Sequence, residues 1–305
     1  MLELVRHFAL DLGRLSLWLT LLSMVFIPVE RLFTLRPGQL RRRQIPGDLA
    51  YYFLNGIAPN ALLILPTAAL SLLARDLLPG GYLAAVAGLP LWLRIAAALV
   101  VAEVGSYWGH RWSHEIPFLW RFHAVHHSAE HIDYLVNTRA HPLDMVFTRL
   151  CGLVPIYVLG LATLNHGAAD AMPLAVILFG TVWSFFIHAN VRWRFGWLEW
   201  LISTPAFHHW HHTNDEHRDR NYAALLPFVD RLFGTMYLPK HWPPVYGIDA
   251  PMPEGVTRQL LYPLNPPGSD LAQTGTLVSR AAQRMAPGQI RATWLSALGA
   301  SRPIR

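Results

Sequence analysis

Lysine is nearly missing: Lys240 is the only one in 305 residues, so arginine carries almost all of the positive charge. Charge of either sign is scarce, at 14% of the chain against 53% hydrophobic residues, and the mean hydropathy is +0.27. A water-soluble domain of this size needs roughly a quarter of its residues charged, so much of this surface is expected to face lipid. Cysteine is limited to Cys151. That excludes an intramolecular disulfide and a four-cysteine iron–sulfur cluster, and a lone thiol in an apolar run reads as core. GxGxxG is absent, and so is HExxH, because HEIPF at 114–118 lacks the second histidine. No basic stretch interleaved with aromatics occurs, so no nucleic-acid partner is expected. The start MLELVRHFALDLGR has no small-residue cleavage site, and no cleavable signal peptide is expected.

What the chain has in plenty is apolar runs, tryptophan and histidine. Runs at 15–29, about 49–73, 90–110, about 145–164 and 173–187 each reach or nearly reach the ~20 residues of an apolar span. The 12 tryptophans suit membrane interfaces. Arg31, Arg36, Arg41, Arg42 and Arg43 lie between the first two runs, which assigns that loop to the cytoplasm. One crossing per run then puts His110 and His188 on the cytoplasmic side and NHGAADAM outside. The count requires 49–73 to cross once, although that run is long enough to tilt or hairpin. The Arg-rich, Lys-poor composition suggests a GC-rich bacterial genome. The expectation is therefore an all-α, polytopic membrane protein of about four to five transmembrane helices, in a bacterial inner membrane. A cytoplasmic helical cap would hold a histidine-rich dimetal site. Residues 1–100 are read as N-terminal transmembrane helices, 101–242 as the catalytic region and 243–305 as a cytoplasmic tail, mobile or loosely helical from Pro266.

Fourteen of the sixteen histidines fall between positions 110 and 217. His110 and His114 are spaced i, i+4; His123, His126 and His127 are i, i+3, i+4; His208, His211 and His212 repeat that pattern. Each set therefore lies on one helix face. Thr204 is a fitting N-cap and Pro205 a fitting first residue for a helix carrying the last set. His209 is out of phase and reads as supporting or surface. A lone histidine on an apolar face is ordinarily a satisfied core residue, but three one-face groups are not explained that way. Imidazole is the commonest side-chain metal ligand, and a structural zinc needs only four. Eight grouped histidines plus His188 exceed one site, so two metals are the natural count. The set is neutral, without thiolate, and suits iron with open positions; zinc also fits these ligands. Glu103 sits within an apolar run, where an ionisable group is expensive. Glu103, Tyr107, His110 and His114 share a face, so Glu103 is expected to fix an imidazole's tautomer, or else to reach water or an arginine.

At HRWSH, HAVHH and TPAFHHWHH the chain resembles the fatty acid hydroxylase superfamily, also called the sterol desaturase family. Lesser matches are RAHPLD at 139–144, FIHAN at 186–190, NYA at 221–223 and DRLFGT at 230–235, and FLWRFHAVHHSAE looks most like bacterial and alkylglycerol-type members. The resemblance implies a membrane-bound, non-haem diiron oxygenase that uses O₂ and two electrons on a lipid C–H bond, giving an alcohol or an alkene. It implies His110, His114, His123, His126, His127, His208, His211 and His212 as ligands, with His188 a ninth. His141 would be a ligand or would order the site, and Asn190, Asn221 and Asp230 would be supportive. Asn221 is followed by Tyr-Ala where many relatives have Tyr-Gly or Phe-Gly. With no cluster or nucleotide site in the chain, electrons must come from a ferredoxin or a cytochrome with its reductase. Arg218, Arg220 and Arg231 could dock such a carrier or lie under anionic lipid. Two rival readings are a zinc-dependent membrane hydrolase and a non-catalytic metal-binding membrane protein. The first is disfavoured because catalytic zinc generally takes three protein ligands and water.

Overall fold

The computed structural model describes residues 2–37, 42–162 and 171–264. The expected external loop at 165–172 lies almost wholly outside these residues, as does the tail expected from Pro266. The described residues are helical and contain no strand, only isolated bridges between Thr34 and Val191 and between Thr213 and Tyr246.

Among the described residues, three helices are long and apolar enough to cross a membrane. These are α1 (Leu2–Leu32), α2 (Ile45–Leu77) and α4 (Leu91–Glu115), with the short α3 (Gly80–Ala87) joining the last two. The first three expected runs fall within them. Residues 49–73 form no hairpin, because α2 is continuous for 33 residues through Pro59 and Pro66. At ~1.5 Å per residue it reaches ~50 Å, well beyond a hydrocarbon core of ~30 Å, so it must tilt or protrude. The fourth and fifth runs form shorter helices. α6 (Pro142–Val158) has 17 residues and ends before the expected 164, and α7 (Ala171–His188) has 18. The remaining helices, α5 (Pro117–His127), α8 (Pro205–His211), α9 (Phe228–Leu232) and α10 (Val256–Leu261), belong to the cap.

Close packing of α4 on α6 sets the height of the first histidine pair. A Cβ on Gly105 would collide with the Cys151 carbonyl oxygen, and one on Gly109 would lie 2.7 Å from Cys151 Cβ. A Cβ on Gly152 would stand 2.5 Å from Ser106 Oγ. Glycine at these positions lets the two backbones touch, as small residues do where helices pack in lipid. Cys151, expected in the core, is only partly buried and lies in this helix–helix contact.

Two further devices fix the cap. Leu22 and Phe26 of α1, Tyr52 of α2, Tyr134 and Leu135, and Phe185 and Ala189 form one buried cluster that holds the end of α7. Beside it runs a buried charge network. Arg42 pairs with Asp48 and with Asp133 (2.6 and 2.7 Å), and Arg139 Nε donates to Asp48 at 2.5 Å. Buried charges persist only when paired, and here the pairing orders the loop leading from α5 to α6. Glu30 extends this frame, accepting from the backbone N–H of Tyr134 and of Asn190.

Candidate metal centre

All nine histidines singled out in the sequence meet in space, in two adjoining groups. His110, His114, His123, His127 and His211 form the first, and His126, His188, His208 and His212 the second. Within each group the ring nitrogens offered lie within 4.8 Å of one another. Every element contributes for a local reason. The tip of α4 carries the 110/114 pair, and α5 starts at Pro117 and carries 123/126/127. Thr204 Oγ1 caps α8 by accepting from Phe207 N at 3.4 Å, and Pro205 is its first residue.

The rings are held from behind. His110 Nδ1–H donates to the Tyr222 carbonyl (2.7 Å), His126 to Arg139 (2.9 Å), His188 to Ser184 (2.8 Å) and His211 to Arg220 (2.9 Å). His123 Nδ1 donates to Asp144 Oδ2 (2.9 Å) and His114 Nδ1 to Asp219 Oδ1 (3.2 Å). A carbonyl or carboxylate can only accept, so these six protons sit on Nδ1 and the six Nε2 lone pairs face inward.

That assignment tests whether metal fits. His110 Nε2 and His123 Nε2 then oppose lone pair to lone pair at 3.1 Å, and His126 Nε2 and His188 Nε2 at 3.5 Å. Neither contact can be an ordinary hydrogen bond; a shared cation makes both favourable. His114 Nε2 and His211 Nε2 are buried without any hydrogen-bond partner, a costly state for a polar atom that coordination would relieve. Burial also holds the rings neutral. It pushes His127, His208, His211 and His212 well below the ordinary imidazole value, with neighbouring imidazoles adding to the effect. His126 is pushed down to about 3 by burial and then by His123. A neutral imidazole is the form that binds metal. The nine residues fit two metal ions, one per group.

Other expected residues lie elsewhere. Glu103 touches no imidazole: its Oε1 accepts from the N–H of Leu225 (2.7 Å) and Leu226 (3.0 Å), so it anchors the loop that follows Tyr222. The helix phase was right, but a loop distant in sequence takes the carboxylate first. Tyr107 bonds Thr235 Oγ1 at 2.8 Å and stacks on Phe233. His141 is in neither group; its Nδ1 caps α6 by accepting from Leu143 N, and its Nε2 donates to Leu260 O. Asn190 ties the end of α7 to the loop after α1 through Thr34 and Arg36. His209 is fully buried rather than at the surface, donating from Nε2 to Ala189 O and accepting from Tyr246 OH. Asn221 takes a left-handed conformation (φ 58°) and bonds Phe207 O and Tyr237 O. Asp230 accepts from the N–H of Tyr222 and Ala223. Both shape the turn whose carbonyls hold His110 and His211.

Sequence reasoning missed the carboxylates that do face imidazoles, Asp144 and Asp219. Asp144 was visible as an acid opening an apolar run, within the RAHPLD match. A cavity of about 200 Å³ reaches His114 and His127 and is lined by Trp120, Thr213, Asn214, Arg218 and Asp219 among others. Its walls mix apolar surface from Trp120, Ile248 and Ala250 with the polar side chains of Asn214, Arg218, Asp219 and Asp249.

Residues 95–235 match the family model described as fatty acid hydroxylase. That stretch, a little under half of the chain, is similar to the fatty acid hydroxylase family. Both histidine groups lie inside that match. The ornithine lipid hydroxylase OlsE of Rhizobium tropici is 36% identical over 186 residues, covering 59% of this chain and 53% of that protein. Alkylglycerol monooxygenases of Danio rerio and Homo sapiens are 32% and 31% identical, each over 51% of this chain and 33% of theirs. The chain thus spans about half of the first relative's length and a third of the other two. No solved structure matches it.

Proposed function

We propose that this chain is a membrane-bound, non-haem diiron oxygenase that hydroxylates a C–H bond of a polar lipid, using O₂ and electrons from an external carrier. The observation carrying this reading is the pair of adjoining, all-imidazole groups of five and four nitrogens. Two ions held there would supply the redox chemistry that no side chain of this kind provides alone. An all-neutral donor set would leave the charge of the ions uncompensated by the ligating atoms themselves, with the carboxylates of Asp144 and Asp219 one hydrogen bond behind.

The protein's own contribution is geometric and electrostatic. Backbone carbonyls and two carboxylates keep the proton on Nδ1 and turn Nε2 inward, so the donor atoms are preorganised. Burial of His123, His126, His127, His188, His208, His211 and His212 keeps bulk water away and protects a reactive oxidant from side reactions. The cavity at His114 and His127 sets Asn214, Arg218, Asp219 and Asp249 beside Trp120 and Ile248, a mixed lining that suits a substrate with both a headgroup and an apolar part. An ornithine lipid and an alkylglycerol, named in two relatives, are both lipids with a polar end. Within this reading the external donor is a ferredoxin or a cytochrome with its reductase, and the histidine face is cytoplasmic.

Comparative lipid mass spectrometry of cells with and without the gene tests the reaction. One lipid class gaining a single oxygen is expected; a loss of two hydrogens would instead mean desaturation. Purified protein should hold two irons per chain, and His211→Ala and His212→Ala, which strip one donor from each group, should each lower that number and abolish turnover. Redox-inert zinc with no O₂ consumption would overturn the proposal in favour of a hydrolase.

A further inference from the structure

The short 3₁₀ helix Gly196–Trp200, with Leu201 after it, and α9 expose a set of large apolar side chains on the cap. Trp197 is 70% exposed, Leu232 69%, Leu201 57%, Trp200 49% and Phe228 40%. The two segments adjoin, because the Arg231 guanidinium lies over the Trp200 ring at 4.9 Å and Ser203 N donates to Leu225 O. A contiguous apolar patch of this kind marks an interaction surface.

Its place in the fold says what covers it. α9 lies alongside α4: Phe233 stacks on Tyr107 and meets Trp108, while Glu103 holds the N–H groups of Leu225 and Leu226. Positions 103–108 come roughly 10–18 Å before the tip of α4 at ~1.5 Å per residue. That depth is within the last part of a helix that crosses a hydrocarbon core of ~30 Å. The patch is therefore level with the bilayer's edge. Its charge agrees. Glu199 and Asp230, its two carboxylates, are buried, the first paired with Arg194 and the second bonded to backbone N–H. Exposed Arg231 and Lys240, the chain's single lysine, line a cavity of about 650 Å³ beside Trp200.

We propose that residues 196–201 and 228–232 form an in-plane docking surface for an anionic membrane leaflet. The tryptophans, Leu201, Phe228 and Leu232 enter the headgroup–acyl boundary, and Arg231 and Lys240 meet lipid phosphates. The first of these segments, 196–201, runs between His188 and His208, so the contact sets the height of α8 and its histidines above the lipid. The inference stands whatever the reaction.

Collisional accessibility in reconstituted vesicles tests it. Cys151→Ala removes the one thiol, and Trp197→Cys, Leu201→Cys and Leu232→Cys carry a spin label singly, with Glu216→Cys on an exposed polar loop as the aqueous reference. Metal content and a monodisperse profile report folding. In phosphatidylglycerol-rich vesicles the three patch labels should be several-fold more accessible to O₂ than to a nickel chelate, and the reference label the reverse. Patch labels as open to the nickel chelate as position 216 would overturn the proposal. So would labels shielded from both reagents, which means a protein, such as a second copy of the chain, covers the patch. Arg231→Gln with Lys240→Gln should shift the labels toward water in anionic vesicles and leave them unchanged in pure phosphatidylcholine. No such difference would remove the anionic-lipid assignment.

Discussion

Asp144 is the most exposing position at which to test how the imidazoles are held. Its Oδ2 accepts from His123 Nδ1 at 2.9 Å and its Oδ1 from Ser113 Oγ at 3.3 Å, with the residue 7% exposed. Replacement by Ala leaves a buried Nδ1–H without an acceptor and frees the ring to turn or change tautomer. Asp144→Asn keeps the shape but exchanges a charge-assisted bond for a neutral one, which is roughly half as strong. Losing such a support behind a ligating imidazole costs about 10- to 100-fold in metal affinity, or about 1.4–2.8 kcal/mol. The amide should fall near the lower figure and Ala near the upper, while Ser113→Ala, which touches only the far oxygen, should stay close to the parent. The assay is chelator competition on purified protein, with metal counted by elemental analysis and folding checked by thermal melting in detergent. Wild-type affinity in Asp144→Ala, with the fold intact, would refute the claim that this carboxylate orients His123.

The α4–α6 contact makes a second prediction: Gly105→Ala should destabilise by about 1–3 kcal/mol, as overpacking does, read as a lower melting point. Gly13→Ala, where a Cβ meets nothing within 4 Å, is the control that should not fall. The third concerns acid. The histidines His126, His127, His208, His211 and His212 have folded values below that of free imidazole, so the unfolded chain binds more protons. Metal-free protein should therefore hold its stability above about pH 6.5 and lose about 1.4 kcal/mol per pH unit per imidazole as acid rises toward pH 3. A pH series of denaturant melts checks this, and a flat profile between those limits would contradict buried, neutral rings.

The helical architecture and the nine imidazoles were legible because both depend on local periodicity. An apolar run of span length, and rings spaced i, i+3, i+4, announce themselves within a few residues. What lies behind the rings was not legible. Asp144 is 21 residues from His123, the Tyr222 carbonyl 112 from His110 and Asp219 105 from His114. No local pattern links such partners. Glu103 illustrates the same limit from the other side. Its helix face was readable, but the backbone that came to meet it belongs to residues 225 and 226. Helix bounds were less legible at α6, where an apolar run expected to reach residue 164 stops at Val158 and packs on α4 through Gly152.

Neighbouring residues in the chain serve opposite groups: His126 and His127 on α5, His211 and His212 at the end of α8. A helix cannot move one of these rings without carrying its neighbour along. Filling either nest would therefore drag the other toward its working shape, so the pair should load and empty as a couple, with singly filled chains a minor species.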